Sequence, residues 1–128
     1  MTVSILVVDD EPDVVDLFKR RFRRELRRGD LAFHFAGSGE EALAALAQGV
    51  EPAVILILSD VNMPGMSGID LLAETKRRWP ALPVAMVTAY GDDESRGRAL
   101  AAGAADYLTK PLDFAALKVK IGKLVSGG

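Results

Sequence analysis

The chain has 128 residues, of which 49% are hydrophobic, with 16 basic against 18 acidic residues for a net charge of −2. This suffices for one domain with its own core, and it lies outside the composition of disordered chains. With no cysteine and a single histidine, His34, disulfides, thiolate chemistry and a histidine-rich metal centre are excluded. The longest apolar runs fall far short of the ~20 residues that span a bilayer, and the N-terminus lacks the basic start of a signal peptide. A cytoplasmic domain is expected.

Residues 3–8 form a nearly continuous apolar run rich in β-branched side chains, as do residues 54–58 and 83–87. That pattern belongs to parallel strands covered on both faces. The first run ends in Asp9 and Asp10 and passes through Glu11-Pro12-Asp13, a helix start with an Asp cap and an early proline. The helix that follows presents Val14, Phe18, Phe22 and Leu26 to the core. Between Lys19 and Arg28 it carries seven basic residues and one acid, Glu25. Such a stripe is either a surface for nucleic acid or anionic lipid, or a solvated face whose cations suit the C-terminal dipole. No aromatic residue interleaves there to stack bases, so the solvated face is preferred; no membrane partner is expected, and a nucleic-acid role for this helix stays a minor alternative, to be dropped if binding depends on neither salt nor these arginines.

Residues 31–35 alternate, with His34 between Phe33 and Phe35, which suits an edge strand. Ser38-Gly39-Glu40-Glu41 caps a second helix that ends near Gly49. A third helix runs from about residue 67 to 79 and stops at Pro80. The fourth, about residues 92–102, is weak, because Gly97 interrupts it and Leu100 is its one large aliphatic residue; low local stability follows. Residues 105–108 make a short fifth strand, and Asp113 opens a fifth helix with the stripe Phe114, Leu117, Ile121 and Leu124.

Strict alternation of strand and helix implies an α/β fold, a doubly wound five-stranded parallel sheet whose ligands sit beyond the carboxyl ends of the strands. Those ends carry Asp9 and Asp10, then Asp60 followed by Asn62-Met63-Pro64-Gly65, then Thr88-Ala89, and finally Lys110-Pro111. The second strand ends in the uncharged Ala36-Gly37-Ser38. Neighbouring strands lie about 4.8 Å apart, so the flavodoxin-like order 2-1-3-4-5 lets Asp9, Asp10 and Asp60 converge. The order 3-2-1-4-5 would insert the inert strand between them.

Converging carboxylates repel by about 4 kcal/mol per pair at 4 Å and an effective dielectric of 20. Either one stays protonated or a cation sits among them. All-oxygen ligation suits a hard ion, and few carboxylates with several retained waters suit Mg²⁺. A metal beside a carboxylate, with a lysine and a hydroxyl, is also an arrangement for phosphoryl transfer, with the carboxylate as nucleophile. Each residue has a plainer explanation alone: Asp10 as a helix cap, Asp60 as an Asx-turn former, Thr88 as a strand residue, Lys110 as a solvated loop lysine. Their joint placement at four strand ends favours chemistry.

In sequence, Val7-Val8-Asp9-Asp10-Glu11, Ser59-Asp60-Val61-Asn62-Met63-Pro64-Gly65, Val87-Thr88-Ala89 and Tyr107-Leu108-Thr109-Lys110-Pro111 closely resemble the CheY-like receiver domain of two-component response regulators. The resemblance covers essentially the whole chain and implies one receiver domain over residues 1–128 with no output domain in it. It implies that Asp60 accepts a phosphoryl group from the phosphohistidine of a sensor kinase or phosphotransfer protein. Asp10, Asp60 and the backbone carbonyl of Asn62 would ligate Mg²⁺, with Asp9 acting mainly through water. Lys110 would pair with the Asp60 carboxylate and then with the phosphoryl oxygen, Lys110-Pro111 would be a cis peptide, Thr88 would move onto the phosphoryl group, and Tyr107 would swing from exposed to buried. The surface of the fourth helix, fifth strand and fifth helix would then switch toward a downstream target or fused output domain, with a homodimer as one outcome. The domain would not be an enzyme beyond its own phosphorylation and hydrolysis. Ser59 stands where a bulky apolar residue is frequent, and Tyr90, two residues after Thr88, is expected to shield the phosphoryl group and slow its hydrolysis.

Rival readings are weaker. Gly37-Ser38-Gly39-Glu40-Glu41-Ala42 fits a G-x-G-x-x-A dinucleotide fingerprint, but two glutamates in the first turn would repel a pyrophosphate. A haloacid-type phosphatase wants a second Asp where Asn62 stands. A receiver that docks without taking phosphate is the remaining alternative, and the intact acids and lysine weigh against it.

Overall fold

Every apolar run becomes a strand buried on both faces. The computed structural model describes residues 2–89 and 93–126. In it β1 (Val3–Val8), β2 (Leu31–Ala36), β3 (Val54–Asp60), β4 (Val84–Thr88) and β5 (Asp106–Thr109) pair in parallel in the order β2-β1-β3-β4-β5. Alternate residues of each central strand enter two different cores. Leu6, Val8, Ile57 and Met86 face α3 (Gly39–Gln48), α4 (Gly68–Arg78) and α5 (Asp93–Ala101). Ile5, Val7 and Leu58 face α1 (Asp13–Arg21), α2 (Arg23–Arg28) and α6 (Phe114–Ser126). The alternating segment with His34 is indeed an edge strand, β2.

The first helix departs from its expected single span. Phe22 breaks it, with φ −110° and ψ 23°, although hydrogen bonds from Phe22 N–H to Phe18 (3.0 Å) and from Leu26 N–H to Phe22 (2.9 Å) continue across. A stripe spaced strictly by four drifts about 40° per step around an ideal helix. Keeping Phe18, Phe22 and Leu26 on one core therefore needs a local adjustment. It falls at the fully buried Phe22, whose ring lies 6.0 Å from Phe18 and 5.0 Å from Phe33.

Caps elsewhere follow the sequence. Ser38 Oγ accepts the N–H of Glu41 (3.1 Å), and Ser67 with Asp70 forms a capping box at α4. Asp113 Oδ1 accepts the N–H of Ala116 (3.1 Å). The expected Asp cap on α1 is absent: its N-cap position is Pro12, with no side-chain cap bond. Asp10 thus has no capping duty. In the fingerprint-like loop, Glu41 Oε2 itself accepts the Gly37 N–H (3.0 Å), occupying a donor that a dinucleotide would need. Among the described residues, no helix is long and apolar enough to cross a membrane.

The weak helix is weakly held. Ala99 is its only buried residue, Leu100 is 43% exposed, and a Cβ added to Gly97 would meet nothing within 4 Å. Gly97→Ala should therefore stabilise the domain by about 0.5–1 kcal/mol. Hydrogen exchange should show slower amides over residues 93–101 in that variant, and in the native chain those amides should exchange well before those of β1 and β3.

Candidate phosphoryl-acceptor site

The register of the sheet assembles the site. Val8 pairs with Ser59 across β1 and β3, so Asp9 and Asp60 leave their strands side by side. Asp9, Asp10 and Asp60 each offer a carboxylate oxygen within 4.8 Å of the others. Asp60 is 9% exposed, whereas Asp10 is open to solvent. Asp60 Oδ1 accepts the Asn62 N–H (3.3 Å), the Asx turn anticipated before Pro64-Gly65. Gly65 at φ 74° provides the positive φ that Pro-Gly turns use.

Lys110 enters from β5. Its backbone N–H donates to Thr88 O (2.8 Å), which ties the end of β5 to the end of β4, and the Lys110-Pro111 bond is cis. Its Nζ lies 3.1 Å from Asp9 Oδ2 and 3.6 Å from Asp60 Oδ2. The shorter contact is thus to Asp9, not to Asp60 as the resemblance implied. Asp9 Oδ1 meanwhile accepts the Glu11 N–H (2.9 Å), so both of its oxygens are engaged. Thr88 closes β4 and is 1% exposed, and Tyr107 is 7% exposed, already in the buried position. Tyr90 lies outside the described residues.

Burial raises the Asp60 pKa above its ordinary value. The Lys110 charge and the Asn62 N–H pull it down, and the charges of Asp9 and Asp10 push it up. For Lys110, burial pulls downward, but the hydrogen bond to Asp9 and the charges of Asp60, Asp9 and Glu11 outweigh it and raise the pKa. The donor set is all oxygen, one member is solvent-exposed, and among the described residues Lys110 is the one cation paired with the three carboxylates, which fits Mg²⁺. A recess of about 360 Å³ opens beside Asp60, lined by Asp9, Lys110, Val14 and Phe18 among others.

Gly68 was not foreseen as part of the site, and Ser59 was noted only as a departure from a bulky residue. A Cβ on Gly68 would stand 2.0 Å from the Asp60 carbonyl oxygen and 2.7 Å from the Met86 methyl, so α4 begins hard against the backbone of Asp60. The readable signal was a glycine directly after a good Ser cap, where a stronger helix former would be ordinary. The buried Ser59 hydroxyl donates to the same carbonyl (3.0 Å), and its small side chain suits this crowded strand end.

Carboxylates and a lysine gathered beyond the strand ends of a doubly wound sheet define a class of domain that handles phosphate without a glycine-rich loop. The sequence matches the family model for the response regulator receiver domain across residues 5–122, and the chain belongs to this family, the receiver domains of two-component systems. It is 42% identical over 113 residues to the response regulator protein PilR of Pseudomonas aeruginosa, covering 88% of the chain and 24% of PilR. To the probable transcriptional regulatory protein TcrX of Mycobacterium tuberculosis it is 36% identical over 123 residues, covering 96% of the chain and 50% of TcrX. The chain therefore spans about a quarter to a half of these relatives. Among solved structures it is similar to the Thermotoga maritima response regulator protein TrrA in complex with Mg(2+)-BeF, with TM-score 0.76, 34% identity and coverage of 95% and 98% of the two chains. The receiver domain of NtrX from Brucella abortus gives TM-score 0.80 and 31% identity, with 97% and 99% covered.

Gly68→Ala should destabilise the domain by about 1–3 kcal/mol through overpacking and weaken Mg²⁺ binding in a fluorescence titration, since α4 or the Asp60 backbone must move. The raised Asp60 pKa has a second consequence. A protonated Asp60 favours the folded state below the unfolded pKa near 3.8, and that contribution is lost as pH rises through the folded value. In chelator, Asp60→Asn should therefore melt higher than the native chain at pH 7, with the gap shrinking toward pH 4 in thermal scans.

Proposed function

We propose that Asp60 is the phosphoryl acceptor of this domain, with Asp10, Asp60 and the Asn62 carbonyl as the Mg²⁺ ligands and Asp9 holding the ion through water. One observation carries the reading: three carboxylates from two adjacent strands share a site with the single lysine that contacts two of them. The freedom of Asp10 from capping and the double engagement of Asp9 support this division of roles.

An Asp60 oxygen attacks phosphorus in line with the leaving group. The new P–O bond forms as the P–N bond of a donor phosphohistidine breaks, and the departing imidazole keeps the electron pair and takes a proton. When bound, Mg²⁺ offsets the charge on the phosphoryl oxygens. Lys110, held by Asp9 beside the acceptor, offers its ammonium to the same oxygens. Thr88, at the end of β4, offers a hydroxyl once the group arrives; Tyr107 is already buried, so no inward swing of its ring is part of this step. Water attack on phosphorus later returns the carboxylate and inorganic phosphate. The partners are a sensor histidine kinase or phosphotransfer protein upstream and a target or fused output domain downstream, reached through α5, β5 and α6.

Incubation with acetyl phosphate and Mg²⁺ should add one phosphoryl mass to the native chain and none to Asp60→Asn, read by intact mass. Lys110→Ala should slow labelling roughly 10²-fold. Label that persists in Asp60→Asn, or that forms in chelator, removes the assignment. A native chain that never labels is a docking module only.

A further inference from the structure

The basic residues of the first helix are not spread by the fold but collected. Lys19, Arg20, Arg21, Arg23, Arg24, Arg27 and Arg28 are all exposed. At 100° per residue they cover about 200° of the helical circumference, along about 14 Å of axis. The one acid among them, Glu25, turns away to pair with Lys118 of α6 (3.3 Å). Arg28 pairs with Asp30 (3.1 Å), and Arg21 sits over the Phe114 ring. Lys19, Arg20, Arg23, Arg24 and Arg27 have no acidic partner among the described residues. A favourable helix dipole accounts for cations at a C-terminal end, yet Arg23 and Arg24 open α2 rather than close it. The whole layer shares the sign: α1, α2 and α6 carry ten basic and three acidic residues, while α3, α4 and α5 carry five and six.

We propose that the outer face of α1 and α2 binds the phosphodiester backbone of duplex nucleic acid, independently of base sequence. Duplex DNA presents a negative charge every ~1.7 Å, so about eight phosphates lie along the length of this strip. Six of the seven cations are arginines, whose planar fork matches phosphate oxygens in pairs. The missing aromatic residues bear on stacking unpaired bases, not on contact with a paired backbone. No large apolar side chain lies among the seven basic residues except the inward-facing Phe22 and Leu26, which leaves nothing to insert into a lipid surface. Asp13 and Asp16 at the start of α1, and the acids of the phosphoryl-acceptor site beyond them, bound the strip at one end.

The test is fluorescence anisotropy of a labelled 25-base-pair duplex with the native chain, between about 50 and 200 mM salt. Five unpaired cations predict a slope of log K against log salt near −4.5, a loss of roughly 500-fold over that range. Arg24→Glu with Arg27→Glu should abolish binding while leaving labelling by acetyl phosphate unchanged. Arg96→Glu with Arg98→Glu on α5 makes the same change in net charge and should leave DNA binding intact. No binding at low salt, an equal loss in both double variants, or equal affinity for poly-L-glutamate (the signature of an acidic protein partner) would each overturn the proposal.

Discussion

The structure depends on confining like charges. Asp9, Asp10 and Asp60 meet because β1 and β3 are neighbours in register, and nothing in their own chemistry favours the meeting. One ammonium, on Lys110, offsets part of the repulsion, and it is brought in by the hydrogen bond that ties β5 to β4. The sheet order, the pairing of strand ends and the strength of the two cores all serve to hold this group at the rim. The cores do so by burying alternate residues of each strand in opposite directions, which is why the central strands read as unbroken apolar runs.

Electrostatic strain of this kind divides labour among identical side chains. Asp60 is recessed and feels burial first, Asp9 is occupied by a backbone amide and the lysine, and Asp10 is open to water. Three aspartates with one intrinsic chemistry thereby acquire three different environments from position alone. The short contact of Lys110 to Asp9 belongs to the same arrangement: the lysine is held by the neighbour and its ammonium stays beside Asp60.

The strands, their order and the acid cluster were legible in the sequence because each rests on a strong, local signal: β-branched runs, an inert second strand end, and charged residues directly after apolar ones. The break at Phe22 was hidden because a four-residue spacing looks helical until its angular drift is summed over several turns. The role of Pro12 as the uncapped N-cap position of α1 was equally hidden, since Asp10 is as good a cap in sequence as it is a ligand. Gly68 was missed for another reason. Its importance lies in how near it comes to the carbonyl of Asp60, eight residues back, and proximity of that sort has no periodicity to read. Ser59 looked like a harmless departure from a bulky residue, and only the arrangement of α4 reveals what its small hydroxyl side chain accommodates.

Gly68 also has a mechanical meaning. Because α4 abuts the Asp60 backbone with no room for even one added carbon, that flank of the rim is an anvil, packed without slack. The opposite flank, where α5 is pinned by little more than Ala99, is the compliant one. The two flanks of the rim thus differ in packing, one in tight contact and one loosely held, before any partner arrives.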